Sequence, residues 1–380
     1  MPGHRLVIAG ASVRAAAFSA IRAGFEPICI DLFADRDLRA RCLVEAVNRA
    51  TYPNNLADAI GRAPPAPWMY TGGLENHPKL IRRISADRPL WGNDAGSLRL
   101  ARDPLHIARL LQEAGLSTPK VSLERPSASS GARWLIKRRA GAGGAGIRFW
   151  SPQSRIGRGQ ILQEYVEGPS LAAIYVGLDD SARLLGVTRQ LVGENQFHAP
   201  PFSYCGSIGP MVLEAAAQKR LEQVGIVLVR ECRLQGLFGV DFILHNAIPY
   251  PVEVNPRYTA SIEVLEYASG LSALAMHRRA FERDKPDSIT QAPARGFIGK
   301  GVYFARSPIT IPTDGPWQED STGRRSIFDV PEFADIPAAG TRIGSGAPVL
   351  TFFTCGSTVD ECQVQLMHMA KELDAALCRR

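Results

Sequence analysis

The chain of 380 residues lacks the marks of several large protein classes. No apolar run approaches the roughly 20 residues that span a bilayer, which argues against a helical membrane protein. The first 24 residues lack the apolar core and cleavage pattern of a signal peptide. The seven cysteines are scattered and form no Cys-x-x-Cys pair, so neither a disulfide framework nor a zinc ribbon is indicated. We therefore expect a cytoplasmic protein with free thiols.

Neither sign of charge dominates the sequence. The 44 Lys and Arg residues exceed the 37 Asp and Glu residues by seven, and no long basic run occurs. Dispersed arginines argue against nucleic-acid binding and suit anionic small molecules such as nucleotides. An apolar fraction of 45% and a charged fraction of 21% are typical of a globular protein with a substantial core. We expect small-molecule partners, with neither nucleic acid nor membrane, and leave a homo-oligomer open.

Strand and helix signals alternate at the start of the chain. Apolar runs at 6–10 and 27–31 predict two buried strands, and the segment 12–24 between them predicts a helix. Two further strand-to-loop edges are predicted at 68–75 and 89–93. This pattern indicates an N-terminal, doubly wound parallel α/β domain over residues 1–95, with ligand sites at the carboxyl ends of its strands.

The character of the sequence changes after residue 95. A helix over 104–115 precedes a small glycine-containing lid at about 130–168, and further strand signals with a long helix over 215–232 predict an antiparallel-sheet subdomain. These elements form a second domain over 96–285. Residues 286–380 are predicted to form a β-rich segment that ends in a helix from about Val359.

A glycine-rich loop follows a basic residue at the end of a predicted strand. Lys137 ends the strand 134–137, and the loop 139–147 contains four glycines. Such a loop brings backbone N–H groups close to an anion, and the lysine adds a point charge. A simple hairpin turn explains the same glycines. The loop is not a Walker A motif because no Gly-Lys-Ser/Thr occurs, and no GxGxxG stands near the N-terminus.

Acidic and amide side chains cluster in the predicted strands 239–244 and 250–255. Glu253 and Asn255 are two residues apart and so share one face of a strand, and a hairpin brings Asp241 beside them, near Arg257. Carboxylate and amide oxygens suit Mg²⁺. The alternative is that these acids only end strands at the surface. The polar face within an otherwise apolar strand favours the metal site.

The motifs WLIKRRAGAGGAGI, ILQEYVEG, GLFGVDFIL and PVEVNPR occur in that order and together resemble the ATP-grasp superfamily of ligases over about residues 95–285. The resemblance implies an α+β ATP-grasp fold. GASVRAAAFSAIRAG, DLFADRDLR and the later FSYCGSIGP also resemble a branch of carboligase-like proteins that includes tyramine–glutamate ligases.

The resemblance implies roles for particular residues. Nucleotide contacts would come from Lys137, Gly143, Gly144, Gly146, Gln163, Glu164 and Val166. One or two Mg²⁺ or Mn²⁺ ions would be held by Asp241, Glu253 and Asn255, and Arg257 would stabilise an acyl phosphate or carboxylate. Arg102 stands where many relatives have a nucleotide-binding lysine, and Ser170 stands where a ribose-binding glutamate is common.

The resemblance also implies a reaction. It is an ATP- and Mg²⁺-dependent joining of a carboxylate to an amine through an acyl phosphate, with glutamate and tyrosine or tyramine as the expected pair in furan-type C1-carrier biosynthesis. Substrate contacts would come from Ser12, Arg14, Tyr204, Ser207 and Arg257, although Ser12 and Arg14 also fit helix capping and a solvated face. The alternatives are a biotin-carboxylase-like carboxylase and a non-catalytic ATP-binding regulatory module.

Overall fold

The computed structural model describes residues 4–126, 131–282 and 296–377. The predicted domain boundary near 285, part of the linker at 127–130 and Cys378 lie outside these ranges. No helix within them is long and apolar enough to cross a membrane.

The N-terminal part is a four-stranded parallel sheet in the order β3-β2-β1-β4. The strands are β1 (His4–Gly10), β2 (Phe25–Asp31), β3 (Leu43–Ala46) and β4 (Trp68–Tyr70). Helices cover the sheet: α1 (Arg14–Arg22), α2 (Arg36–Arg39), α3 (Leu56–Arg62) and α4 (Pro78–Ser85). Leu6 and Ile8 pack on the α1 side, and Val7 and Ala9 pack on the opposite side. The strand is apolar throughout because both of its faces are buried.

The predicted parallel sheet is confirmed, with one difference at its edge. The predicted strand at 89–93 forms only a single bridge, between Leu90 and Trp68. Two helices follow, α5 (Ala95–Ala101) and α6 (Pro104–Glu113). Asp94 and Asp103 cap them by accepting hydrogen bonds from backbone N–H groups of the first turn.

The lid is a small antiparallel sheet in the order β5-β8-β6-β7. Its strands are β5 (Val121–Ser122), β6 (Trp134–Arg138), β7 (Arg148–Phe149) and β8 (Gln160–Glu164). Its last strand, β8, ends at Glu164, four residues before the predicted end of the lid near 168. The glycine-rich loop joins β6 to β7.

The largest element is an eight-stranded antiparallel sheet in the order β13-β12-β9-β10-β11-β14-β18-β16. Its strands are β9 (Ser170–Leu178), β10 (Ser181–Val192), β11 (Tyr204–Gly209), β12 (Gly236–His245), β13 (Ile248–Asn255), β14 (Phe297–Phe304), β16 (Phe333–Ala334) and β18 (Pro348–Gly356). Strand β14 pairs with β11, so the β-rich C-terminal segment continues the sheet that the middle of the chain begins.

The other elements pack on this sheet. They are β15 (Ile309–Thr310), β17 (Arg342–Ile343), α7 (Ala215–Cys232), α8 (Ala260–Ser269), α9 (Ala273–Arg279), α10 (Gln318–Ser321) and α11 (Val359–Leu377). The long helix α7 and the closing helix α11 begin where the sequence predicted. One apolar core joins α1 of the N-terminal part to α8, α9 and the strands β9 and β12, so the two parts share a common interior.

A buried histidine contributes to this shared interior. The Nδ1 atom of His277 on α9 accepts a hydrogen bond of 2.9 Å from the backbone N–H of Leu237, and its Nε2 lies 3.1 Å from the carbonyl oxygen of Trp91. The ring is therefore neutral, with its proton on Nε2. Burial lowers the pKa of His277 to about 4.

We expect His277 to make stability depend on acid pH. Its pKa is below the ordinary value near 6.5, so the stability it confers is present above pH 6.5 and is lost as the pH falls toward 4. Denaturant titrations should show wild type losing about 3 kcal/mol more than His277→Gln over this range. The same substitution at exposed His368 serves as the control. Parallel pH curves for wild type and His277→Gln would contradict this assignment.

Candidate functional site

A narrow cleft lies between the lid sheet and the β12–β13 hairpin. Apolar side chains form its walls: Pro119, Val121, Ile147, Ile161, Val252 and Val254. Polar side chains lie at its floor: Arg102, Lys137, Gln163 and Glu253. An apolar slot with a few convergent charged groups is suited to a flat ring bearing phosphates.

Lys137 lies at the end of β6 and is largely buried. Its Nζ donates hydrogen bonds to Gln163 Oε1 at 3.0 Å and to the carbonyl oxygen of Val252 at 3.4 Å. Burial lowers its pKa, although the carboxylates of Glu253 and Asp241 act in the opposite direction. Gln163 in turn donates to the Val252 carbonyl, at 3.3 Å. The two predicted residues Lys137 and Gln163 therefore meet in the cleft.

Arg102 follows α5 and reaches into the same cleft. Its guanidinium donates to Glu253 Oε1 at 2.7 Å and to the backbone oxygen of Gly141 in the glycine-rich loop at 2.6 Å. The side chain is 10% exposed. Arg102 thus links the lid to Glu253, a predicted metal ligand. Its replacement of a nucleotide-binding lysine stays a prediction.

The glycine-rich loop is held down over the cleft. The backbone N–H of Tyr204 donates to the carbonyl oxygen of Gly143 at 3.3 Å, and Arg139 of the lid forms an ion pair of 3.0 Å with Asp103. Gly144 has a φ of +79°, and a Cβ there would overlap with the carbonyl oxygen of Phe202. Glycine is therefore required at residue 144 both by conformation and by contact.

The three predicted metal ligands come together on the β12–β13 hairpin. Asp241 and Glu253 are paired directly across the two strands. Asn255 Nδ2 donates to Asp241 Oδ2 at 3.0 Å, and Gln190 Nε2 donates to Asp241 Oδ1 at 2.9 Å. Within the described residues, no group of three or more His, Cys, Asp or Glu side chains could hold a metal. The set consists instead of two carboxylates and an amide, a hard-oxygen group that suits Mg²⁺.

The two carboxylates differ in their electrostatics. Burial, together with the charge of Glu253, raises the pKa of Asp241 to about 7. Burial also acts to raise the pKa of Glu253, but the nearby Arg102 and Lys137 outweigh it and lower that pKa. A cation bound between the two acids would favour the ionised form of Asp241, so the set fits a divalent ion.

Arg257 lies just after β13 and touches both halves of the site. Its Nε donates to Glu75 Oε1 at 2.9 Å, and its Nη2 donates to Asn255 Oδ1 at 3.2 Å. Burial acts to lower its pKa, but the charge of Glu75 raises it. Arg257 is thereby a fixed cation beside the predicted metal ligands.

Several predicted residues lie outside the cleft lining. The Glu164 side chain accepts a hydrogen bond of 3.2 Å from the backbone N–H of Lys120, and Val166 lies two residues beyond the end of β8. Ser170 donates to Gln190 Oε1 at 2.8 Å, and Gln190 in turn donates to Asp241. The roles of these three residues toward a nucleotide stay predictions.

A second cavity, of about 590 Å³, opens at the carboxyl ends of β1 and β4. Ser12, Tyr204 and Arg257 line it, three of the five residues predicted to contact the substrate. Ser207 lies behind Tyr204, with its hydroxyl 2.9 Å from that of the tyrosine. Strands β14 and β18 supply the opposite wall.

Arg14 lies beneath this cavity rather than in its lining. Its fully buried guanidinium forms paired hydrogen bonds with Glu263 and a bond of 2.9 Å to Asp335 Oδ1. Lys300 donates to Glu263 at 2.8 Å. The charge of Arg14 overcomes the effect of burial and lowers the pKa of Glu263 to about 2. The arginine joins α1 to α8 and to the loop after β16.

Sequence reasoning missed several residues of the site. Glu75, Asp35, Asp335 and Lys300 were not predicted, although Glu75 follows β4 at the carboxyl edge of the parallel sheet, where ligand sites are expected. Strand position would have identified Glu75. Nothing local identifies Asp335 or Lys300, since they reach the site only through long-range pairing.

With this geometry established, comparisons define the class of fold. Residues 101–261 match the family model of the ATP-grasp domain. The parallel N-terminal sheet, the antiparallel sheets and the intervening lid give the chain the ATP-grasp fold, in agreement with solved structures of that fold.

The proteins that this chain resembles are enzymes of different kinds. The biotin carboxylase domain of Hydrogenobacter thermophilus 2-oxoglutarate carboxylase, solved with MgADP and bicarbonate, superposes with a TM-score of 0.70 at 16% identity, over 98% of this chain and 90% of that one. An L-amino acid ligase from Bacillus licheniformis gives 0.69 at 17% identity, over 99% and 98%. The large chain of carbamoyl phosphate synthase from Saccharolobus islandicus is 25% identical over 45% of this chain, and the match spans only 16% of that relative.

The contact of Gly144 with Phe202 provides a test of lid closure. Gly144→Ala should weaken ATP binding at least tenfold, because its Cβ would collide with the Phe202 carbonyl when the loop covers the cleft. Gly143→Ala is the matched control: φ there is +61°, but a Cβ meets nothing within 4 Å. Calorimetric titration with ATP–Mg²⁺ measures both. Equal affinities for the two variants would show that the loop does not close in this way.

The cluster around Arg14 provides a test of stability. Arg14→Met would leave Glu263 and Asp335 with less compensating charge in a buried site, and we expect a loss of roughly 3–5 kcal/mol in the free energy of unfolding. Arg5→Met is the control, because the Arg5 side chain is 56% exposed. Denaturant titration decides the matter, and a loss no larger than that of the control would remove Arg14 from this structural role.

Proposed function

We propose that the chain is an ATP- and Mg²⁺-dependent ligase of the cytoplasm that joins a carboxylic acid to an amine through an acyl phosphate. The observation that carries this proposal is the position of Arg257. It touches Asn255 of the predicted metal set and also lines the large cavity, so the predicted metal set and the large cavity share one cation.

Several contacts support binding of the nucleotide in the cleft. Lys137 and Arg102 provide positive charge at its floor, and Gln163 offers an amide beside them. The apolar walls would enclose the adenine ring. Asp241, Glu253 and Asn255 would hold Mg²⁺, which when bound neutralises phosphate charge. Phosphoryl transfer depends mainly on such positioning and charge neutralisation, and a protein nucleophile is not needed.

The proposed reaction has two steps. A carboxylate oxygen of the acid attacks the γ-phosphorus of ATP, the bond to the bridging β–γ oxygen breaks, and ADP leaves. Arg257 holds the carboxylate and the developing charge of the acyl phosphate. The amine gives up its ammonium proton to solvent, and its free nitrogen attacks the acyl carbon. The bond from carbon to the phosphate oxygen breaks, and inorganic phosphate leaves with the further proton that the nitrogen loses as the amide forms.

We further propose glutamate as the acid and tyrosine or tyramine as the amine, in the biosynthesis of a furan-type C1 carrier. The support is the placement of two of the three segments that resemble tyramine–glutamate ligases. The first contributes Ser12 and the second contributes Tyr204, and both residues line the same cavity. An aromatic amine of this kind fits within about 590 Å³.

The first experiment measures ADP release from ATP–Mg²⁺ with pairs of acids and amines, including glutamate with tyrosine or tyramine, and follows products by mass. We expect pair-dependent ADP release and a product lighter than the two substrates by one water. Bicarbonate is included as an acid, because bicarbonate-dependent release without an amine would indicate a carboxylase instead.

A substitution of Glu253 tests the proposed metal site. Glu253→Gln should reduce turnover by at least 100-fold while the protein remains folded, because the substitution removes one charged oxygen ligand and the partner of Arg102. Glu167→Gln is the control, on an exposed acid of the same domain. ATP binding without turnover for any pair would favour a regulatory module, and a fully active Glu253→Gln enzyme would remove the metal assignment.

A further inference from the structure

We propose that Asp35 binds the ammonium group of the amine substrate inside the large cavity. The proposal rests on the ligase function above and identifies which end of the cavity receives which chemical group. The amine enters as its primary ammonium form with an apolar body, and Asp35 is the residue that selects the charge.

Asp35 is a buried carboxylate that lacks a partner. Its residue is only 5% exposed, and it lies in the cavity lining. No side chain or backbone N–H among the described residues donates a hydrogen bond to its carboxylate, and none of their cations forms an ion pair with it. A buried carboxylate in this state is costly unless a ligand compensates its charge.

The neighbouring acids are satisfied by the protein. Asp31 accepts hydrogen bonds from the backbone N–H groups of Val13, Phe33 and Ala34. Asp37 accepts two backbone N–H bonds from the loop after β16, both of 3.0 Å. Both carboxylates therefore have donors within the protein. Of the three acids, Asp35 is the one that lines the cavity and has no donor among the described residues.

Asp335, the other acid in the lining, is also occupied. It accepts from Arg14 Nε at 2.9 Å and from the Thr351 hydroxyl at 2.6 Å. Its charge still acts on Asp35: burial, followed by the charges of Asp335, Asp37 and Asp31, raises the pKa of Asp35 well above its usual range, and the opposing charge of Arg14 does not outweigh them. A cation between Asp35 and Asp335 would reverse this effect and stabilise both carboxylates.

Of the four cationic side chains that line the cavity, two form ion pairs within the protein and two are exposed to solvent. Lys300 is bound to Glu263 at 2.8 Å, and Arg257 is bound to Glu75 at 2.9 Å. Arg49 and Arg342 are exposed. None of these four forms an ion pair with Asp35, and the charge of Arg14, which acts on Asp35 from beneath the cavity, does not offset its burial. A cationic ligand is therefore the group that would compensate its charge.

The remaining walls match an apolar body. Leu32, Phe33, Pro337, Ile343, Val349 and Leu350 line the cavity around these polar groups. Such walls favour an aromatic or branched chain carrying one ammonium group over a small polar amine. An inorganic divalent ion would require several oxygen ligands, whereas Asp35 is the one carboxylate in the lining that accepts no hydrogen bond from the described residues.

The test measures binding directly and without ATP, so that it stands apart from the test of ligase activity. Three probes of similar shape are titrated by calorimetry: 2-phenylethylamine, 2-phenylethanol and 3-phenylpropionate. We expect wild type to bind the amine at least tenfold more tightly than the alcohol or the carboxylate. Asp35→Asn should lose this preference, and Asp87→Asn, at an exposed acid, should keep it.

Stability provides a second readout. Replacing a buried carboxylate that has no donor should leave the fold intact and raise the melting temperature of Asp35→Asn at pH 8, whereas Asp87→Asn should not change it. Asp35→Ser repeats the binding test with a smaller side chain. The proposal fails if Asp35→Asn binds the amine as tightly as wild type, or if the alcohol or the carboxylate binds wild type as well as the amine does. If the amine binds as expected but no acid–amine pair releases ADP, the ligase proposal fails and the ammonium site stands.

Discussion

The buried guanidinium of Arg14 holds together three parts of the chain that are distant in sequence. It binds Glu263 on α8 and Asp335 in the C-terminal segment, 249 and 321 residues away. Removing one partner of such a cluster leaves an uncompensated charge in a dry interior, so its members depend on one another. Because the large cavity lies directly above the cluster, its shape is fixed by the same ions that join the N-terminal sheet to the rest of the fold.

The cleft proposed to bind the nucleotide is rich in positive charge. Arg102, Lys137, Arg138 and Arg139 line it beside Glu253, so positive groups exceed negative ones where phosphates would lie. The cavity beyond Arg257 places its unpaired carboxylate, Asp35, deep in its wall. The cleft is thus proposed to receive phosphates, and Asp35 in the large cavity is proposed to receive a cation.

Much of this arrangement could be predicted from the sequence, and the reason differs from part to part. Glu253 and Asn255 were found because a period of two along one strand places them on one face, and Lys137 because a glycine loop follows its strand. Both signals are local. Arg14 shows the limit: its position after β1 suggested a substrate contact, but its neighbours Glu263 and Asp335 come from distant elements. Asp35 went unnoticed since only the folded chain shows that it has no donor.

Because the eight-stranded sheet continues through β14 and β18, the two cavities of the protein are completed at different times during synthesis. The N-terminal strands, the lid and the β12–β13 hairpin are all synthesised before β14, yet Lys300 and Thr351 form the far wall of the cavity. A nascent chain that has been synthesised as far as the β12–β13 hairpin already contains every group proposed to contact the nucleotide. The large cavity still lacks one wall at that stage. On the ribosome, the second chamber is completed only when β18 emerges and pairs with β14. The residues proposed to bind ATP are therefore all synthesised before the strands that complete the large cavity.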